Sequence, residues 1–141
     1  MPPVRVRRYV RRREVEDARA FIPRRRAESV SIEDRTKHPE DPTFFLLDER
    51  GKVIGTIFGT FEFDAGIEFV DHLDISEEYR REGYGAILYQ RFERDAIEKR
   101  IYTIRLNAIE EAVPFWEAMG FADAGEYDEE QKLTGMEKDL G

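Results

Sequence analysis

Residues 79–92, YRREGYGAILYQRF, constrain this chain more than any other stretch. Gly83 and Gly85 stand two residues apart, just before a run with helical periodicity. Its large apolar residues are Tyr84, Leu88 and Phe92, then Ala96, with Ile87 beside them. A helix therefore starts at the glycines. The first N–H groups of a helix lack internal partners, and the aligned peptide dipoles make that end positive. Glycine lets a ligand approach the backbone because no Cβ stands in the way. Arg80 and Arg81 add fixed positive charge, so the stretch is a candidate phosphate cradle. By itself the same spelling also fits a tight strand-to-helix connection. It is not a Walker loop, which needs Gly-Lys-Ser/Thr after four residues. Nor is it a dinucleotide fingerprint, because Leu88 stands at the third glycine position.

The chain has 141 residues, which suits a single domain over 1–141 with one hydrophobic core. Charged residues make up 38% and aromatics 12%, the balance of a folded globular chain and not a disordered one. There is no cysteine, so disulfides, thiol nucleophiles and thiolate metal sites are excluded. His38 and His72 are the two imidazoles, too few for a multi-histidine metal site. No apolar stretch reaches 18 residues and no signal-peptide apolar region opens the chain, so a cytoplasmic location is expected.

Net charge is −8 and unevenly spread. Residues 1–26 hold ten arginines against Glu14, Glu16 and Asp17, whereas the rest holds 13 basic and 28 acidic groups. The basic segment suits contact with nucleic acid or another anion. It equally suits a strand and short helix that pair with the acidic remainder. That acidic body argues against broad nucleic-acid binding and favours a cationic substrate.

Alternation of Val4 and Val6 with arginines predicts a first strand over residues 4–10. Amphipathic helices follow at 14–22, limited by Pro23, and at 29–37, closed by Pro39. Strands are predicted at 43–48, 52–63 and 67–75, joined by turns at 49–51 and 64–66. Gly55 and Gly59 inside the second of these point to a bulge or a close neighbour. The long helix spans 83–99. After it come a strand at 101–106, a short helix at 110–119 capped by Gly120, and strands at 121–127 and 132–140. This order, β-α-α-β-β-β-α-β-α-β-β, describes a mixed α/β domain with an antiparallel N-terminal part. The crossover helix implies a parallel pair between 67–75 and 101–106.

In this context the residues resemble the GNAT family of N-acetyltransferases. Arg80-Arg81-Glu82-Gly83-Tyr84-Gly85 matches the family's Arg/Gln-x-x-Gly-x-Gly/Ala loop, after a strand ending Leu73-Asp74-Ile75 and before a long helix. Some 30 residues on, Ala112-Val113-Pro114-Phe115-Trp116-Glu117-Ala118-Met119-Gly120-Phe121 is similar to the family's Ala-x-x-Phe/Leu-Tyr-Glu-x-x-Gly-Phe segment. The resemblance implies a GNAT-like mixed sheet with a splayed central parallel pair and about four flanking helices. It implies acetyl-coenzyme A as donor, its pyrophosphate held by backbone N–H groups of Arg81, Glu82, Gly83, Tyr84 and Gly85 with Arg80 nearby. The pantetheine arm would pair like an extra strand with Leu73, Asp74 and Ile75. Asn107 is a further candidate contact. An amine would attack the thioester carbonyl, and a backbone N–H near Leu73 or Asp74 would stabilise the oxyanion.

Two features depart from the family pattern or stay open within it. The family commonly places a tyrosine, the acid for the leaving thiolate, where this chain has Trp116. An indole N–H lines a tunnel but supplies no proton of useful acidity. The general base is open among Glu68, Asp71, His72 and Asp74, with Glu62, Glu110 and Glu111 as outside candidates that also suit solvated strand-end or helix charges. His72 has the intrinsic chemistry for neutral pH. Asp71 shares strand parity with Leu73 and Ile75, so it faces an apolar surface unless a bulge releases it.

The leading expectation is an acetyl-CoA-dependent N-acetyltransferase acting on a primary amine, small molecule or protein, with no metal. The acceptor would lie between residues 14–37, the central strand and the last hairpin. The alternative is a non-enzymatic acyl-CoA-binding module, favoured by Trp116. Membrane contact is not expected. Homodimerisation is common in the family, but no surface stripe in this sequence establishes it.

Overall fold

The computed structural model describes residues 4–7, 42–62 and 65–141. Seven strands form one mixed sheet: β1 (Arg5–Arg7), β2 (Thr43–Leu47), β3 (Val53–Glu62), β4 (Ile67–Ile75), β5 (Thr103–Ile109), β6 (Ala122–Asp128) and β7 (Leu133–Asp139). Their order is β1-β2-β3-β4-β5-β7-β6. Helix α1 (Tyr84–Glu98) crosses from β4 to β5, and α2 (Val113–Ala118) crosses from β5 to β6. The β4–β5 pair is parallel and all other pairs are antiparallel.

Strands β2 to β5 form where β-branched and aromatic residues cluster, and α1 forms where apolar residues recur at helical spacing. Tyr84, Leu88, Tyr89, Phe92 and Ala96 are the buried face of α1. This face packs on Phe44 and Leu46 of β2, Ile57 of β3 and Val70 of β4. Each such side chain contributes about 1.5–3 kcal/mol when fully buried. Beneath α2, Trp116 joins Tyr89 and Phe121 in an edge-to-face aromatic group with centroids 5.4–5.5 Å apart.

Several boundaries differ from expectation. The short helix predicted at 110–119 is a 3-10 turn (Glu110–Ala112) followed by α2, with Pro114 in its first turn. The strand predicted at 101–106 starts at Thr103 and runs to Ile109, because β7 pairs with it along that whole length. The helices expected at 14–22 and 29–37, and the extension of β1 to residue 10, lie outside the described residues. The described residues hold two α-helices and two 3-10 turns, and the other two helices expected fall outside them.

Two irregularities position everything that follows. First, β4 carries one residue more than β3: Phe58 pairs with His72 and Gly59 with Val70, so Asp71 is the bulged residue. A Cβ on Gly59 would overlap the Phe69 carbonyl and come within 2.9 Å of Phe92. Only glycine lets the strands approach this closely. Second, the β4–β5 ladder holds at Ile67↔Thr103, Glu68↔Ile104 and Phe69↔Arg105 and goes no further. Beyond that point β4 and β5 diverge while β5 stays zipped to β7.

Candidate active site

The divergence opens a cleft of about 1300 Å³. One wall is β4 from Val70 to Ile75, and the other is β5 from Leu106 to Ile109. The glycine loop closes one part, and Ala112, Phe115, Trp116 and Met119 close another. The β6–β7 turn contributes Glu130, Gln131 and Leu133.

The glycine loop is an open set of donors. After the 3-10 turn Glu77–Tyr79, Arg81 takes φ 64° and Gly83 φ 86°. Such alternation turns successive N–H groups inward. The backbone N–H groups from Arg81 to Ala86 have no backbone acceptor among the described residues, and the first bond back to the loop is Ile87 N–H to the Gly83 carbonyl at 3.3 Å. Arg80 Nε donates to the Ile75 carbonyl at 2.9 Å, which holds its guanidinium at the end of β4. Phe115 packs over Gly85, where an added Cβ would sit 3.3 Å from its ring. The buried Tyr84 phenol has no hydrogen-bond partner among the described residues, and burial raises its pKa, with the Glu82 charge adding to the effect.

On β4 the bulge decides which side chains face which way. Glu68 and Val70 before it, and Leu73 and Ile75 after it, lie on the α1 side. Asp71 turns to the opposite side, where the Thr60 hydroxyl donates to its carboxylate at 2.7 Å. His72 shares that side, its ring 5.0 Å from Phe58. Asp74 follows, 7% exposed and on the cleft wall.

Of the candidates, Asp71, His72, Leu73, Asp74, Ile75, Arg80, Arg81, Gly83, Tyr84, Gly85, Asn107 and Trp116 all line this one cleft. Glu82 and Glu68 do not join them. Glu82 is an exposed member of the glycine loop. The fully buried Glu68 accepts from Lys99 Nζ at 3.0 Å, and the same ammonium meets Asp95 at 2.8 Å. That cluster sits where β4 and β5 are still paired, away from the opening. Its parity puts Glu68 beneath α1, which no local motif announces.

Sequence reasoning missed Glu130 and Gln131 as cleft residues and held Glu111 only as an outside candidate for the base. They come from a 3-10 turn and a hairpin turn, and only the sheet order brings those turns to β4. Among the described residues no group of three or more acidic or histidine side chains is arranged to hold a metal ion. No helix there is long and apolar enough to cross a membrane.

A family model described as the acetyltransferase (GNAT) family matches residues 9–121. No curated protein matches the chain. Among solved structures, a GNAT-family acetyltransferase from Staphylococcus aureus Mu50 superposes with a TM-score of 0.76 at 16% identity, covering 99% of this chain and 100% of that one. Ard1 from Thermoplasma volcanium gives 0.77 at 19% identity, with 98% of each chain covered. N-acetylglutamate synthase from Neisseria gonorrhoeae, complexed with coenzyme A and N-acetylglutamate, gives 0.78 at 18% identity, covering 100% of this chain and 36% of that one. At these identities the likeness is one of fold.

Proposed function

The chain belongs to the acetyltransferase (GNAT) family, and from that premise we propose that it transfers an acetyl group from acetyl-coenzyme A to a primary amine. The observation that carries the proposal is the junction of two features in one cleft. The run of N–H groups from Arg81 to Ala86, without a backbone acceptor among the described residues, suits a pyrophosphate. The gap between β4 and β5 suits an extended arm that pairs like a strand. Arg80 and Arg81 supply charge-assisted contacts to the phosphates. Neither feature depends on a particular side chain of β4.

The acceptor amine attacks the thioester carbonyl carbon in its neutral form. A C–N bond forms, the carbonyl oxygen takes the charge, and a backbone N–H near Leu73 or Asp74 stabilises it. His72 receives the amine proton, directly or through water, from the same side of β4 as Asp71. The C–S bond then breaks and coenzyme A leaves as its thiolate. Trp116 lines the tunnel at this point without donating a proton, so water protonates the sulfur. The acceptor enters from the Asp71, His72 and Asp74 side, and Glu111 and Glu130, which line the same cleft, add negative charge suited to a cationic amine.

Calorimetry with acetyl-CoA, followed by thiol release against a panel of amines, tests the reading. Binding with turnover is expected. His72→Gln should then cost about 10²-fold in kcat/KM or more. Binding without turnover for every amine favours the acyl-CoA-binding module. Absence of binding overturns the assignment of the glycine loop.

A further inference from the structure

We propose that Lys138, on β7 and outside the cleft, is a positioning residue that fixes the Trp116 indole in the cleft wall. Its ammonium joins three elements. It donates to the Met119 carbonyl at the C-terminal end of α2, at 2.8 Å. It pairs with Glu93 of α1. It also lies 5.9 Å from the centre of the Tyr89 ring. Glu93 in turn accepts from the Tyr89 hydroxyl at 3.1 Å.

Each contact bears on Trp116. The last carbonyls of a helix are the negative end of its dipole, where a cation is favourable. The Trp116 carbonyl accepts from both Met119 and Phe121 N–H at 3.0 Å, so the carbonyl that Lys138 holds belongs to the same turn. The indole stands edge-on to Tyr89 at 5.5 Å, and the phenol of Tyr89 is oriented by Glu93. Lys138 thus pins Trp116 from the backbone side through Met119 and from the ring side through Glu93 and Tyr89.

Gly120 gives independent support. It has φ 97°, and a Cβ there would lie 2.9 Å from Lys138 Cε and 3.0 Å from Nζ. The corner after α2 is shaped around the passage of this lysine. Lys138 and Glu93 are also three-quarters buried or more, at 25% and 22% side-chain exposure, so solvent screens their pairing only in part.

Only the kinetic half of this inference rests on the proposed acetyl transfer. Trp116 is the single tryptophan of the chain, so tryptophan emission, excited beyond the tyrosine absorption band, reports its surroundings alone. In Lys138→Met the emission should shift to the red and become more accessible to acrylamide. With acetyl-CoA and an amine, kcat should fall about tenfold, while KM for acetyl-CoA stays within about threefold. Such a split is expected because the loop amides and β4 are untouched and only the reacting end is displaced. Unchanged emission overturns the proposal, as does a parallel collapse of kcat and KM. If Lys138→Met does not fold, Glu93→Gln, which removes the charge from the other side of the pair, is read by the same criteria. A wild-type protein that binds no acetyl-CoA sinks the acetyltransferase reading, and the emission comparison still decides the role of Lys138.

Discussion

The Thr60 hydroxyl donates a 2.7 Å hydrogen bond to the Asp71 carboxylate across the one bulge between β3 and β4. Without the bulge, Asp71 would share the side of Leu73 and Ile75 and face α1. With it, Asp71 and His72 reach the same side of the strand in succession. The bulge depends on Gly59, whose missing Cβ leaves space for the Phe69 carbonyl and the Phe92 ring. Gly59→Ala should therefore destabilise the fold by about 3 kcal/mol, since backbone and not a flexible side-chain end must move. Urea denaturation of the two proteins checks this.

The glycine loop has a different sensitivity. Gly83 stands at φ 86°, where an L side chain costs about 1–2 kcal/mol. Gly83→Ala should relax that residue out of the left-handed region and redirect the neighbouring N–H groups. Acetyl-CoA affinity, measured by calorimetry, should fall about tenfold or more. The melting temperature should drop only modestly, because Gly83 is exposed.

At the base of the cleft, Lys99 joins the buried Glu68 carboxylate to Asp95. Removing one partner of a buried pair costs far more than the pair's net contribution. Lys99→Met should lower stability by about 3 kcal/mol in chemical denaturation. A loss below about 0.5 kcal/mol would show that this cluster does not hold β4 against α1.

Tyr89 gives the fold an alkaline limit. Burial raises its phenol above the ordinary tyrosine value of 10.0, and the Glu93 charge and hydrogen bond raise it further. The folded chain keeps this proton where the unfolded chain has lost it. Its contribution is thus fully present below about pH 10 and declines as pH rises further, by no more than about 1.4 kcal/mol per unit. Tyr89→Phe should lose about 1 kcal/mol at neutral pH with the hydrogen bond. It should also show a shallower fall in stability between pH 10 and 11.

Much of this was legible in the sequence because the signals are local. Tyr84, Leu88, Phe92 and Ala96 announce α1 by spacing alone, and the glycines before them announce its open end. Gly59 marks a close approach, and Gly120 marks the end of α2. What the sequence could not display depends on register. Whether Asp71 faces α1 or the far side turns on a single extra residue in β4. Glu68 stands as a cleft candidate on its chemistry, but pairing with β5 persists just there and Lys99 lies above it. Glu130 and Gln131 reach the cleft only because β7 inserts between β5 and β6.

The early end of the β4–β5 ladder has a thermodynamic corollary. A sheet whose central seam closes over three residue pairs and then parts is unfinished cross-linking, and the strand-like guest proposed above would complete it. Occupancy of the seam and cohesion of the two half-sheets then become one equilibrium: the tighter the guest, the more slowly the halves breathe apart. Amide exchange along residues 70–75 and 106–109 should slow together as acetyl-CoA is titrated in, although those segments lie on opposite sides of the seam. The cosubstrate would thus serve as a missing structural member as well as a source of acetyl groups, and the protein's rigidity would follow its supply.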